Sequence, residues 1–424
     1  MFEPLGPSRG GPLPDRGRWR NAVNLLLCTA GAGGVVLGGW ALHDTYTTHR
    51  NAEASRALIT RACAGLVDPD AVMRLDGGTH RVVLGGDEPR TVGFEGIPDG
   101  CVLSRVEERH GREVQIRQFT LDIKGLPQER ALHTVEDFPD EPFTTLALGS
   151  QGDMTARTRL PDRMPLGDGR LGDYGPDDVT VVARCEQPAE AGTTTLIVTA
   201  TSPDTRDEAG DRPVLARLAR RAAVGAAAEY GCRAQLPELP DRLPEPVVDL
   251  GPAAGDRSDS CGWYAAHLRT ADGGSLPDRA AGVPLGGAAR EEGCLLAVGP
   301  AATRRIHPTL GKEQRAHLDL DSVLRISSWW VRTRSYFGDD AAAFAVEAPG
   351  KRIPDPVAPG TAGRLGDVLH GSATCQGRPA TLTMTVPYRY RSVLGARLDE
   401  LFRAYATDAA ARRGCTGLVL PPPE

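Results

Sequence analysis

Apolar and polar residues follow three patterns along this 424-residue chain, and each pattern predicts a different kind of element. Over residues 21–42 the run NAVNLLLCTAGAGGVVLGGWAL carries no charge for 22 residues. As a helix it measures about 33 Å, enough to cross a bilayer. Over 45–62 the pattern becomes that of an amphipathic helix with Ala54, Leu58, Ile59 and Ala62 on one side, which predicts a short stalk continuing the span. Later, apolar residues alternate with threonine in ARCEQPAEAGTTTLIVTA, from Ala183, and in ATCQGRPATLTMTV, from Ala373, the period-2 signature of half-buried hairpins. An amphipathic helix follows each hairpin. The first covers about 214–230 and stops at Gly231-Cys232; the second sets Leu394, Leu398, Leu401, Phe402 and Tyr405 on one face and stops at Gly414-Cys415. Glycine at these stops suits the left-handed backbone that terminates a helix.

The cysteines repeat the same order. Cys63, Cys101, Cys185 and Cys232 stand 38, 84 and 47 residues apart, and Cys261, Cys294, Cys375 and Cys415 stand 33, 81 and 40 apart. Gly100-Cys101-Val102-Leu103 answers Gly293-Cys294-Leu295-Leu296, and the pentapeptide GRLGD occurs at 169–173 and again at 363–367. These matches predict an α+β fold: one N-terminal transmembrane helix, then two tandem, duplicated, disulfide-tied domains, each a mainly antiparallel sheet with a C-terminal helix. The expected pairs are Cys63 with Cys101, Cys185 with Cys232, Cys261 with Cys294 and Cys375 with Cys415. Eight cysteines allow 105 connectivities, so pairing within each set of four is the firmer part of that expectation. CAGLVDP at Cys63 also resembles CTGLVLP at Cys415, a second alignment that stays open. The expected divisions are a disordered cytoplasmic tail at 1–20, the span at 21–42, the start of the stalk at 43–50, a first domain at 51–240, a Pro-rich linker at 241–254 and a second domain at 255–424. The boundary region, 236–259, holds five prolines and reads as a semi-rigid linker or an extended edge.

Charge sets the orientation and removes one class of partner. The net charge is −6, of which residues 1–42 contribute +2 through Arg9, Arg16, Arg18 and Arg20 against Glu3 and Asp15, leaving about −8 for the rest. Arginines before the span predict a cytoplasmic N-terminus and extracytoplasmic domains. An acidic body disfavours nucleic acid and gives no electrostatic reason to lie on anionic lipid. A cleaved signal peptide is the competing reading, with Ala30-Gly31-Ala32 as the small-residue site, although the apolar run continues ten residues beyond it. Leu27 before Cys28 departs from a lipoprotein signal. Ala30, Gly34 and Gly38 form a small-xxx-small row through which the span would form a homodimer.

Candidate chemistry is sparse. An even set of exported cysteines predicts structural disulfides, with Cys28 left in the span. None of the nine histidines makes HExxH or HxH spacing, so no metal and no cofactor is expected. A GxSxG match at 6–10 lacks the strand and helix of a nucleophile elbow. A GxGxxG match at 167–172 has no preceding apolar strand, and Thr361-Ala362-Gly363 stands in the second copy. Both GRLGD segments read better as tight turns, with Arg170 paired to Asp173 and Arg364 to Asp367. No Ser, His and Asp set is selected; His110 and His267 fall at different registers of the repeat. Trp263, two residues after Cys261, is expected on a disulfide in the core. Trp329 and Trp330 are adjacent in VLRISSWWVRTRSYF, so in a strand they face opposite sides. Trp329, Trp330, Arg332 and Tyr336, with Arg334 nearby, are therefore the candidate residues for binding an envelope protein or a glycan. The alternative is that a neighbouring helix or domain covers both tryptophans.

An anchor, a cysteine followed by Gly and Leu in CAGLVDPDAV, a Cys-Gly-Trp at Cys261 and later cysteines near Thr-rich strands together resemble exported, membrane-anchored actinobacterial cell-envelope proteins of unknown function. The resemblance covers the domains in outline and implies location, with no activity attached. The expected function is a single-pass membrane protein presenting two extracytoplasmic domains for binding or protein interaction, without catalysis. The alternative is a cell-envelope hydrolase with a site in one domain only.

Overall fold

The computed structural model describes residues 16–86, 89–126, 133–136, 141–147, 152–189, 192–203, 211–317, 319–326, 329–342, 344–347 and 355–423; the tail expected at 1–20, with the GxSxG match, falls mostly outside the described residues. A single helix, Arg16–Ala62, runs for 47 residues. One stretch of it is long and apolar enough to cross a membrane, with mean hydropathy 1.8. Leu25, Leu26, Leu27, Val35, Leu37, Trp40 and Leu42 are all exposed there, as are Ala30, Gly34 and Gly38. The same helix then packs on the first of two sheets. Ala52, Ser55, Ile59 and Ala62 are buried at spacings of three and four, so its last turns are core. Of the expected face, Ile59 and Ala62 are buried and Leu58 packs on the core, whereas Ala54 is exposed and Ala52 and Ser55 take its place.

The first sheet is antiparallel throughout. Its strands are β1 (Val82–Leu84), β2 (Asp99–Arg109) and β3 (Arg112–Leu126), then, after β4 (His133–Glu136) leaves for another sheet, β5 (Met164–Pro165), β6 (Gly172–Tyr174), β7 (Asp178–Arg184) and β8 (Thr195–Thr201). The order across the sheet is β1-β2-β3-β8-β7-β6-β5. One face packs on the long helix and on helix Asp211–Glu229, with Leu103, Phe119, Leu121, Val181 and Val198 against Leu215, Ala219, Ala222 and Ala226. The later turns of that helix are an alanine ridge, Ala219, Ala222, Ala223, Ala226 and Ala227, which lets it lie close to β7 and β8.

A second antiparallel sheet takes up the later chain. It contains β9 (Gly251–Pro252), β10 (Arg279–Gly282), β11 (Glu291–Ala297) and β12 (Trp330–Phe337). Next come β13 (Phe344–Glu347) and β14 (Asp355–Pro356), which leave it, followed by β15 (Gly363–Leu365), β16 (Val368–Cys375), β17 (Arg378–Thr385) and β18 (Cys415–Val419). The order is β15-β16-β17-β12-β11-β10-β9, with β18 also on β16. Alternation is clean in β17: Leu382 and Met384 face the core under helix Arg397–Arg412, while Thr381, Thr383 and Thr385 face the other way. The five apolar residues expected on one helical face, Leu394, Leu398, Leu401, Phe402 and Tyr405, are all buried in that core. Gly395, at φ +52, divides them between two helices, Tyr388–Leu394 and Arg397–Arg412. Trp263 lies in the same core with Cys261 and Cys294.

Four disulfides join Cys63–Cys101, Cys185–Cys232, Cys261–Cys294 and Cys375–Cys415, so each closes within its own set of four. After Gly414, at φ +60, Cys415 opens β18 and pairs with Cys375 across the sheet edge. The region expected as a linker is an extended edge. Tyr174 Oη donates to the Pro244 carbonyl, Thr158 N to Val248 O and Leu250 N to Ala156 O. The expected turn pair is replaced in the first GRLGD: Arg170 meets Asp168, and Asp173 meets Arg163.

Candidate functional site

The strand β12 sends its residues to opposite sides, and both sides are covered. Trp329, just before it, is fully buried among the helices and stacks on Tyr390 with ring centroids 5.9 Å apart. Trp330, Arg332 and Tyr336 lie on the other face and are buried as well. There Trp330 packs with Phe143, Met154, Leu250 and Leu295, and its Nε1 donates to Glu141 Oε2 at 2.9 Å. Arg332 donates to the Leu160 carbonyl. Two of the four residues read as partner anchors, Trp330 and Arg332, therefore meet segments that precede the second sheet in the same chain, Tyr336 packs on Phe344, and none of the four offers a free surface.

Charged groups fill the centre of this junction. Asp162, whose side chain is 3% exposed, lies 3.5 Å from Arg332 Nε and 3.2 Å from Arg334 Nη2, and Arg334 is also 3.4 Å from Glu291. Burial pushes the Arg332 guanidinium below its ordinary range, with Asp162 opposing. Gly293, opposite Arg334 in the β11–β12 pair, leaves the space Asp162 occupies: a Cβ there would meet the Asp162 Cβ at 2.7 Å. Gly100, at the matching place before Cys101, is closed by the Leu121 carbonyl and by Arg90. Each Gly-Cys thus marks a strand position where another group approaches the backbone closely.

One end of the junction opens into a cavity of about 140 Å³ lined by Arg184, Gly287, Ala288, Ala289, Arg290, Phe337, Gly338, Cys375, Gln376, Arg378 and Arg413. Four arginines reach it and no carboxylate lines it. Arg184 is the last residue of β7 and the one wall contributed by the first sheet. Arg378 is placed by a two-residue hairpin turn, in which Gln376 and Gly377 both have positive φ (53° and 77°) between paired Cys375 and Arg378. The Cys375–Cys415 bridge ties that turn to the end of helix Arg397–Arg412, beside Arg413.

Three of these guanidinium groups are held from behind. Arg290 is buried and forms a two-pronged pair with Asp340, both contacts at 2.5 Å, with Asp173 3.7 Å away. Arg413 donates to Glu292 and to the carbonyls of Gly287 and Ala289, and its guanidinium carbon sits 4.2 Å from the centre of the Phe337 ring. Arg378 pairs with Asp339 at 2.7 Å, and Thr195 Oγ1 holds the other Asp339 oxygen at 3.2 Å. Arg184 has no hydrogen bond or ion pair among the described residues. Partial burial lowers its pKa, and the nearby charges of Arg378 and Arg290 lower it further against Asp339 and Asp340.

Two larger cavities have different linings. One of about 510 Å³ under the extended 245–248 segment mixes Arg157, Arg159 and Arg212 with Asp153 and Glu245. Another of about 490 Å³ is walled by Ile306, Leu310, Leu394, Gln314 and Arg397. Among the described residues no group of three or more His, Cys, Asp or Glu side chains is placed to hold a metal ion. No protein family, curated protein or solved structure matches the chain. The four arginines of the small cavity were not singled out in the sequence, where 46 arginines give no contrast. Their one shared signal is nearness to a cysteine: Arg184 precedes Cys185, Arg290 precedes Cys294 by four, Arg378 follows Cys375 by three and Arg413 precedes Cys415 by two.

Proposed function

We propose that this chain is a single-pass membrane protein with a cytoplasmic N-terminus, whose two duplicated domains face the extracytoplasmic side and act by binding, without catalysis. The observation that carries the reading is the helix Arg16–Ala62. Its apolar part is long enough to span a bilayer, and its end, without a break, is core of a disulfide-tied body. Disulfides favour an oxidising compartment, which agrees with arginines preceding the span. The duplication is supported by the strand orders: β10-β11-β12-β17-β16-β15 follows the path of β1-β2-β3-β8-β7-β6, and Cys294 on β11 answers Cys101 on β2. In this reading each domain packs one late helix on its sheet, Asp211–Glu229 or Arg397–Arg412, the second being followed by β18. The domains are held as one body by the junction at Asp162 and Trp330, so that a partner or envelope glycan meets a single rigid surface.

Labelling of intact cells with a membrane-impermeant thiol reagent, before and after reduction, tests the topology. Labelling only after reduction is the expected result; labelling that requires permeabilised cells would overturn the orientation. Absence of turnover by the purified full chain on ester, peptide and muropeptide panels is expected, and turnover of any of them would overturn the non-catalytic reading.

A further inference from the structure

The cavity between the two sheets has three properties that packing alone does not require. Its walls bring four guanidinium groups together from the first sheet, the 287–290 loop, the β16–β17 turn and the end of helix Arg397–Arg412. Like charges placed together repel, and nothing in the fold compels Arg184 to end β7 facing Arg378 and Arg290. The carboxylates that compensate, Asp339, Asp340 and Glu292, stand behind the arginines, and the cavity lining itself holds no carboxylate, Gln376 being its one neutral acceptor side chain among the described residues. Finally, the space, about 140 Å³, is enough for several water molecules or one small polyatomic ion.

We propose that this cavity binds a phosphoryl oxyanion, either inorganic phosphate or the phosphate of a monoester, with Arg184 and Arg378 as its direct contacts. Arg290 and Arg413, already committed to Asp340 and Glu292, supply fixed positive charge at the back of the site. A carboxylate needs one guanidinium fork. Several guanidinium groups arriving from separate elements match the three terminal oxygens of a phosphoryl group instead. An anion here relieves the repulsion at Arg184 and is gripped by both sheets at once. The proposal names the ligand class within the binding reading above, and its test does not depend on which side of a membrane the site faces.

The experiment uses the full chain in nanodiscs of neutral lipid, with inorganic phosphate as the probe and chloride or acetate at equal ionic strength as references. Phosphate is expected to raise the melting temperature beyond either reference. Arg184→Ala is expected to melt at or slightly above the parent temperature without phosphate, because among the described residues the side chain has no hydrogen-bond or ion-pair partner to lose. The same change is expected to weaken phosphate binding about tenfold or more in calorimetric titration. Arg184→Lys retains part of the affinity, and Arg378→Ala loses it. A second arm replaces part of the neutral lipid with phosphatidic acid, whose headgroup is a phosphomonoester, and omits phosphate. Stabilisation there that disappears in Arg184→Ala assigns the same phosphoryl site to a lipid headgroup, whereas stabilisation by dissolved phosphate assigns it to a soluble ligand. The proposal is overturned if phosphate acts no more strongly than chloride or acetate, or if Arg184→Ala and Arg378→Ala bind phosphate as the parent does.

Discussion

Asp162→Ala tests the claim that buried charge holds the two sheets together. The Asp162 carboxylate enters from the segment before β5 and is 3% exposed between Arg332, 10% exposed, and Arg334. Removing one partner of a buried ion pair costs roughly 3–5 kcal/mol, because the remaining charge stays out of water without its counter-ion. Arg334 retains Glu291, and Arg332 retains the Leu160 carbonyl, which places the expectation at the lower end, about 3 kcal/mol. At about 2–4 °C per kcal/mol the melting temperature should fall by roughly 6–12 °C. The double change Asp162→Leu with Arg332→Met removes both charges and fills the space with apolar groups, so it should recover most of the loss. Scanning calorimetry of the full chain in detergent, for the parent, both single variants and the double, measures the coupling. A loss under 1 kcal/mol for Asp162→Ala, or a double variant as unstable as the two single losses added, would refute the reasoning.

Three further outcomes are expected. Glu141→Gln keeps an acceptor for Trp330 Nε1 and removes a carboxylate whose pKa is raised by burial. A raised folded pKa makes ionisation a cost that grows as pH rises from the ordinary carboxylate range through the folded value. The variant should therefore be more stable than the parent at pH 7 and equal to it in acid, as read by urea melts at both pH values. His370 is buried, its Nδ1 has no hydrogen-bond partner among the described residues, and burial pushes its pKa below the ordinary 6.5. The unfolded chain takes up this proton more readily, so stability should fall as pH drops below about 6.5, and His370→Gln should flatten that part of the profile. Replacing Cys375 and Cys415 together by alanine opens a loop with a sequence separation of 40 and should cost about 4 kcal/mol; a melt unchanged within 1 kcal/mol would contradict this.

The readable parts of this fold are those fixed by short-range rules. Period-2 alternation located β8 and β17, the 3.6 period located helices Asp211–Glu229 and Arg397–Arg412, and uncharged length located the apolar helix. The Gly-Cys repeats were legible as matches, but their cause was not. Gly293 is small because Asp162, more than a hundred residues earlier, occupies the place of its side chain. The tryptophan pair shows the same boundary. Alternation along a strand predicts that Trp329 and Trp330 diverge, and they do, but it carries no information about what lies beyond each face.

What stays hidden in the sequence is the junction, because it depends on a pairing between distant loops. The strand β4 leaves the first sheet and pairs in parallel with β13, from His133 opposite Phe344 to Glu136 opposite Glu347. No local period connects segments some 200 residues apart. That pairing, the Trp330 contact and the Asp162 cluster draw the two sheets together until β7 ends beside the β16–β17 turn. Arg184 then meets Arg378 and Arg290. In the sequence each is one arginine among 46; only the packing of one sheet against the other turns them into a shared cavity. The prediction that follows concerns coupling. If Asp162→Ala loosens the junction, it should also weaken phosphate binding in the cavity, although Asp162 does not line it. Unchanged affinity in a destabilised Asp162→Ala would show that the Asp162 cluster is not what holds Arg184 in place at the cavity.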